Sequence, residues 1–178
     1  MPEAMKGAVY LQTADLKDAQ GRIDPLMLQQ WYLSDIDVMP VWQDYTGKGV
    51  RIGQFEPAGA YSTGPEVFDY RHPDLQPNAD KAWLNTLDAS GHNNIPETFS
   101  SHATMVAGVM VAARNGEGGV GVAHNASLAG HYIQGEGLEV EQLDAEISNA
   151  LARFKNYDVV NNSWGPTESP ARARGRCK

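Results

Sequence analysis

Cysteine is almost missing from this chain, since the single Cys177 is the next-to-last of 178 residues. That excludes a disulfide framework and a cysteine-built zinc site, and it leaves the redox compartment open. Long apolar runs are missing too, because none approaches the roughly 20 residues that a membrane-spanning helix needs. Positive charge is scarce: 14 Lys and Arg stand against 22 Asp and Glu, for a formal net charge of -8. Nucleic acid is excluded as a partner, because phosphate neutralisation needs clustered cations. The opening residues, MPEAMKGAVYLQTADL, lack the basic-then-apolar order of a secretory signal, so export requires a signal outside this sequence.

What is there is the material of a packed core. The hydrophobic fraction is 42%, with Trp, Tyr and Phe spread along the chain, and a chain of this length buries roughly 70% of its unfolded surface as one domain. Residues 1–22 are polar and weakly patterned and read as a leader or linker, with ordered structure beginning near Asp24. Asp24-Pro25 followed by LMLQQWYL predicts a short helix, and Asp37 is placed to cap another through Val38, Val41 and Trp42. Residues 45–49 read as a turn. Residues 50–55, VRIGQF, read as a strand stopped by Glu56-Pro57-Ala58-Gly59. Residues 57–100 read as loops, with one short strand around Ala82-Trp83-Leu84.

The stretch 100–123, SSHATMVAGVMVAARNGEGGVGVA, combines a histidine, a helix of small apolar residues and a glycine-punctuated loop. Ser100 or Ser101 caps the helix, and His102 falls in its first turn. Val106, Ala107, Val109, Met110, Val111 and Ala112 predict a helix buried almost all round. Residues 126–133 read as a second strand. Residues 138–154 carry a helical stripe of Val140, Leu143, Ile147, Leu151 and Phe154, and 157–161 read as a third strand. Strand, helix, strand, helix, strand with right-handed crossovers predicts a parallel α/β sheet with helices on both faces. Ligands bind beyond the carboxyl ends of such strands. Glu56, His102 and Ser163-Trp164-Gly165 all fall on that rim.

The wording of the segments is more specific than their order. IDPLMLQQWYL, YTGKGVRIGQFE, HPDL at 72–75, SHATMVAGVMVAARNGEGGVGVAHNASL and VVNNSWGP occur in succession over residues 24–166. In these segments the chain resembles the subtilases, and within them the kexin and furin branch. The resemblance implies a subtilisin-like parallel sheet, here the N-terminal portion of the catalytic domain in residues 23–170, and a secreted or extracellular serine endopeptidase acting on peptide or protein substrates. It implies that His102 is the general base of an Asp-His-Ser mechanism and that Glu56 takes the orienting aspartate's place. Ser163, Trp164 and Gly165 match the edge segment that pairs with an extended substrate. The resemblance also implies a calcium site, with Asp24, Asp74 and Asn115 as side-chain ligands and carbonyls of Ala113, Glu117 and Gly119; all-oxygen ligation with two carboxylates suits Ca2+. Glu168 lies where furin-like members carry acidic residues that select basic side chains.

Departures from the family pattern bear on activity. Glu56 is one methylene longer than aspartate, a displacement of roughly 1.5 Å, and misplacing a catalytic group by about 1 Å costs around a hundredfold. Ala103 and Met105 stand where the family has glycine and a second His or Arg, and Pro57-Ala58-Gly59 disturb the turn after the carboxylate. The family's oxyanion asparagine and nucleophilic serine lie beyond the segments present, so the 178 residues alone are expected to be inactive; losing the serine alone costs on the order of a millionfold. Residues 171–178, with Arg172, Arg174, Arg176 and Lys178, read as a basic tail that does not continue the fold.

Two functions of different class are therefore expected: a subtilisin/kexin-like endopeptidase domain, or a non-catalytic subtilase-like module that binds peptides or calcium. A dinucleotide-binding domain is excluded, because GEGGVG follows a helix rather than a first strand. Half a subtilase sheet leaves an edge uncovered, from which self-association is expected.

Overall fold

The computed structural model describes residues 16–57, 67–89, 99–133 and 139–164. Gly165, Glu168, Cys177, Ala58, Gly59 and the tail 171–178 lie outside the described residues. Among the described residues, three strands, β1 (Arg51–Pro57), β2 (Ser127–Ile133) and β3 (Val159–Asn161), form a parallel sheet in the order β2-β1-β3. Four α-helices among the same residues accompany them: α1 (Trp31–Asp35), α2 (Lys81–Ala89), α3 (Ser101–Val111) and α4 (Val140–Phe154). The expected alternation holds, with α3 lying in the crossover from β1 to β2 and α4 in that from β2 to β3. Among the described residues no helix is long and apolar enough to cross a membrane.

The period-2 alternation of β1 distributes its side chains between two cores. Ile52 shares one core with Ala103, Ala107 and Val111 of α3 and with Leu128 and Ala129 of β2. Phe55, fully buried, shares the other with Ile133 and Ala150. Burying a side chain such as Phe55 or Leu128 stabilises the fold by about 1.5–3 kcal/mol each. A third cluster, Met27, Leu33, Val38, Trp42 and Val120, fastens the first short helices to the loop after α3, and Leu16 packs against it. Gln30 clamps the same loop, its carbonyl oxygen accepting from the Val120 N–H at 2.8 Å and its amide donating to the Val120 carbonyl at 2.9 Å.

Several local expectations are corrected. The residues around Ala82-Trp83-Leu84 are helical, in α2, because Asp80 caps the helix by accepting from the Trp83 N–H at 2.8 Å. Asp37 is no cap: it sits at φ 51, and a 3-10 helix over Met39–Gln43 starts after Val38 without a side-chain cap. The segment after Pro25 is a 3-10 turn, Met27–Gln29, followed by α1. β1 is not stopped at Glu56, since Glu56 and Pro57 pair with Tyr132 and Ile133. β3 accompanies β1 only as far as Gln54, so a residue without an N–H is tolerated in a strand that is otherwise central. Helix α3 is buried on one face, through Ala103, Ala107 and Val111 at intervals of four, while Met105 and Val109 are 66% and 46% exposed.

Ser100 does cap α3, its hydroxyl accepting from the Ala103 N–H at 3.1 Å. At the other end of α3 the loop returns so closely that a Cβ on Gly121 would lie 2.4 Å from the Ala112 nitrogen and 2.6 Å from the Val111 Cα. These are backbone atoms of a packed helix end and cannot give way. Gly121→Ala is therefore expected to cost about 2 kcal/mol, measured as a lowered midpoint in chemical denaturation; an unchanged midpoint would show that the loop can lift off α3.

Candidate active site

Three segments distant in sequence meet at the carboxyl end of β1. Glu56, 2% exposed, lies on the α3 side of the strand. His102 follows the Ser100 cap in the first turn of α3, and its side chain is 57% exposed. Ser163 and Trp164 continue from β3. Glu56 Oε2 and His102 Nε2 are 3.6 Å apart, an ion-pair separation rather than a hydrogen bond. His102 Nε2 donates to the Ser163 carbonyl at 3.0 Å, which places the proton on Nε2 and leaves the lone pair of the neutral ring on Nδ1.

The segment after β3 is laced to this rim. The Trp164 indole N–H donates to the Phe55 carbonyl at 2.9 Å, and the Ser163 hydroxyl donates to Asn161 Oδ1 at 3.0 Å. Burial pushes the Glu56 carboxyl above the ordinary glutamate value, against the opposing influence of Gln54, His102 and the Ser163 N–H. A desolvated carboxylate beside an accessible imidazole is the arrangement that orients a general base. Gly165, the third expected substrate-contacting residue, lies outside the described residues.

Sequence reasoning missed Gln54. It is 1% exposed in the middle of β1, and its amide donates to the Ala103 carbonyl at 2.9 Å and to Glu56 Oε1 at 3.5 Å. A glutamine two positions before Glu56, hence on the same face of a strand otherwise rich in apolar residues, was the available signal.

The expected calcium residues also converge. Asp24 and Asp74 are 0% and 7% exposed. Asp24 Oδ1 accepts from the N–H groups of Asn115 and Gly116 at 3.0 Å, and Asp74 Oδ2 accepts from the Gly119 N–H at 3.0 Å. The other oxygen of each, Asp24 Oδ2 and Asp74 Oδ1, is buried with no hydrogen-bond partner. Burial raises the Asp74 carboxyl above its ordinary value, and the nearby Asp24 charge adds to that. The loop closes tightly here: Gly118, at φ +51, would place a Cβ 2.2 Å from Asp74 Oδ2. Ala113 donates its N–H to the Asp74 carbonyl at 2.7 Å. Asn115 Oδ1 accepts from the Glu117 N–H at 2.9 Å, and its amide donates to the Pro73 carbonyl at 3.2 Å. Two orphaned, buried carboxylate oxygens fit a hard divalent cation. Among the described residues no group of three or more His, Cys, Asp or Glu gathers as a transition metal would need.

The chain is 32% identical over 165 residues to human neuroendocrine convertase 2, covering 82% of this chain and 24% of that protein. It is 30% identical over 191 residues to furin-like protease 2 of Drosophila melanogaster, covering 98% of this chain and 10% of that protein. It thus spans about a quarter or less of these relatives. A serine protease of Aeromonas sobria shares the fold, with a TM-score of 0.53 and 19% identity over 92% of this chain and 29% of that one. The model of the subtilase family, Peptidase_S8, matches residues 66–178. With a carboxylate, a histidine and a post-strand serine segment meeting on one sheet rim, the chain belongs to the subtilase family, with kexin-like convertases among its relatives.

Proposed function

We infer that this chain supplies part of a subtilisin/kexin-like serine endopeptidase domain that hydrolyses peptide bonds in secreted or extracellular surroundings. The observation that carries the reading is the convergence of Glu56, His102 and Ser163 from three segments onto one rim. In that reading His102 takes the proton of a serine hydroxyl as its oxygen attacks the substrate carbonyl, and returns it to the leaving amine. Glu56 holds the ring and offsets the positive charge it acquires. Ser163 and Trp164 present the edge along which an extended peptide or protein substrate lies. Asp24 and Asp74 would hold calcium, whose charge would neutralise the two buried carboxylates and tie the loop after α3 to the chain's first turn.

Among the described residues no serine hydroxyl faces the His102 ring, Ser163 being turned to Asn161. A fluorophosphonate probe tests the reading on the longer polypeptide that carries this chain together with a subtilase-type serine segment. Labelling of one serine, lost in His102→Ala, supports the enzyme. The 3.6 Å gap between Glu56 and His102 favours the second reading, a non-catalytic module that binds peptides or calcium, and absence of labelling in a folded polypeptide selects it. The open side of β3, paired only with β1 among the described residues, supports self-association, which sedimentation at high concentration tests.

A further inference from the structure

Gln54 occupies the middle of the central strand, where burial at 1% exposure makes a polar side chain costly unless it is bonded. Its bonding is incomplete: the amide nitrogen reaches Ala103 and Glu56, while Gln54 Oε1 is buried with no partner. An apolar residue of the same volume would avoid that loss, so the retained amide calls for a role. Its two acceptors are informative. Ala103 directly follows His102, and its carbonyl belongs to the turn of α3 that carries the imidazole. Glu56 Oε1 is the carboxylate oxygen not directed at His102; the other, Glu56 Oε2, lies 3.6 Å from His102 Nε2. One amide thus touches the backbone beneath the base and the far oxygen of its carboxylate partner.

We propose that Gln54 is a positioning residue for the Glu56–His102 pair, bridging the carboxylate to the first turn of α3 and turning Glu56 Oε2 toward the imidazole. The extra methylene of glutamate makes such a tether necessary. A longer carboxylate has one more rotatable bond, and without a donor on Oε1 nothing from β1 or α3 selects which oxygen faces the ring. The donor also favours the ionised carboxylate against the burial that opposes it. The inference rests on the reading of Glu56 and His102 as an orienting pair, but not on the presence of proteolysis.

The test uses the full 178-residue chain and NMR titration, which needs no activity. In the native chain the Gln54 side-chain N–H resonances and the His102 ring resonances should both follow the ionisation of Glu56, and Glu56→Gln should abolish that pH dependence. Gln54→Met keeps the volume and removes the donor. It should raise the Glu56 titration midpoint by about half a unit or more, the size of a weak charge-assisted bond, and uncouple His102 from Glu56 while leaving the melting temperature equal or higher. A Gln54→Met chain that melts lower with the Glu56 midpoint unmoved would make Gln54 a structural tie and overturn the proposal. So would native Gln54 resonances indifferent to Glu56, a measurement that stands even if Gln54→Met does not fold. Failure of the endopeptidase reading shows separately, as absent fluorophosphonate labelling with the titration behaviour intact.

Discussion

Acidification from pH 7 to pH 4 should destabilise the fold by several kcal/mol, with His124 and His131 as the principal cause. Both imidazoles are held down to about 4 in the folded chain from an ordinary 6.5, mainly by burial, with Arg114 beside His124 and Arg153 near His131 acting in the same direction. His131 stacks on Phe55 at 4.5 Å and bonds the Tyr157 hydroxyl at 2.5 Å; His124 lies edge-on to Trp42 at 5.0 Å. A histidine whose folded pKa is depressed binds protons more readily when unfolded. Its contribution is intact above pH 6.5 and is lost as the pH falls from 6.5 through about 4. A gap of about 2.5 units corresponds to on the order of 3 kcal/mol for each ring. Glu56 and Asp74, whose folded values are raised, work the other way, since their protonation as the pH falls toward the ordinary carboxylate range favours the folded state. Their effect is opposite in sign to that of the two histidines. Urea unfolding at pH 7, 6, 5 and 4 measures the slope, and His131→Gln should flatten it by about half. Stability that is level between pH 7 and 5, or a His131 resonance titrating near 6.5, would refute the assignment.

Calcium should raise the melting temperature, and chelation should lower it. At a free concentration a hundredfold above Kd the stabilisation is about 2.7 kcal/mol, which for a chain of this length is about 5–10 °C. The physical origin is the pair of orphaned oxygens, Asp24 Oδ2 and Asp74 Oδ1, which are desolvated without compensation until a cation meets them. Asp24→Asn and Asp74→Asn should each abolish the response. In chelator, Asp74→Asn should be no less stable than the native chain at pH 7, because it removes a buried charge that the nearby Asp24 opposes. A calcium-independent melting curve in the native chain would remove the site, and a response that survives both substitutions would move it elsewhere.

What was legible in the sequence was chiefly what short-range physics controls. The Ser100 cap, the apolar period of α4 and the β-rich runs of β1 and β2 are patterns within one element, and they are found where expected. The misread places are those where a local pattern is ambiguous. Trp83 has the residue type of a strand, but Asp80 three positions earlier caps a helix. Pro57 breaks a strand only where a neighbouring strand must accept from its N–H, and β3 no longer flanks β1 beyond Gln54.

The amino-acid sequence by itself determined the parallel α/β alternation, the family and the candidate roles of Glu56, His102, Ser163, Asp24 and Asp74, because periodicity, caps and motif wording are properties of neighbouring residues. Only the tertiary structure decided the order β2-β1-β3, the single buried face of α3, the convergence of two carboxylates fifty residues apart on one loop, and the tether from Gln54 to both Glu56 and the turn beneath His102. Those relations depend on how crossovers bring remote segments into register, and no local pattern encodes a distance between residues that only packing brings together.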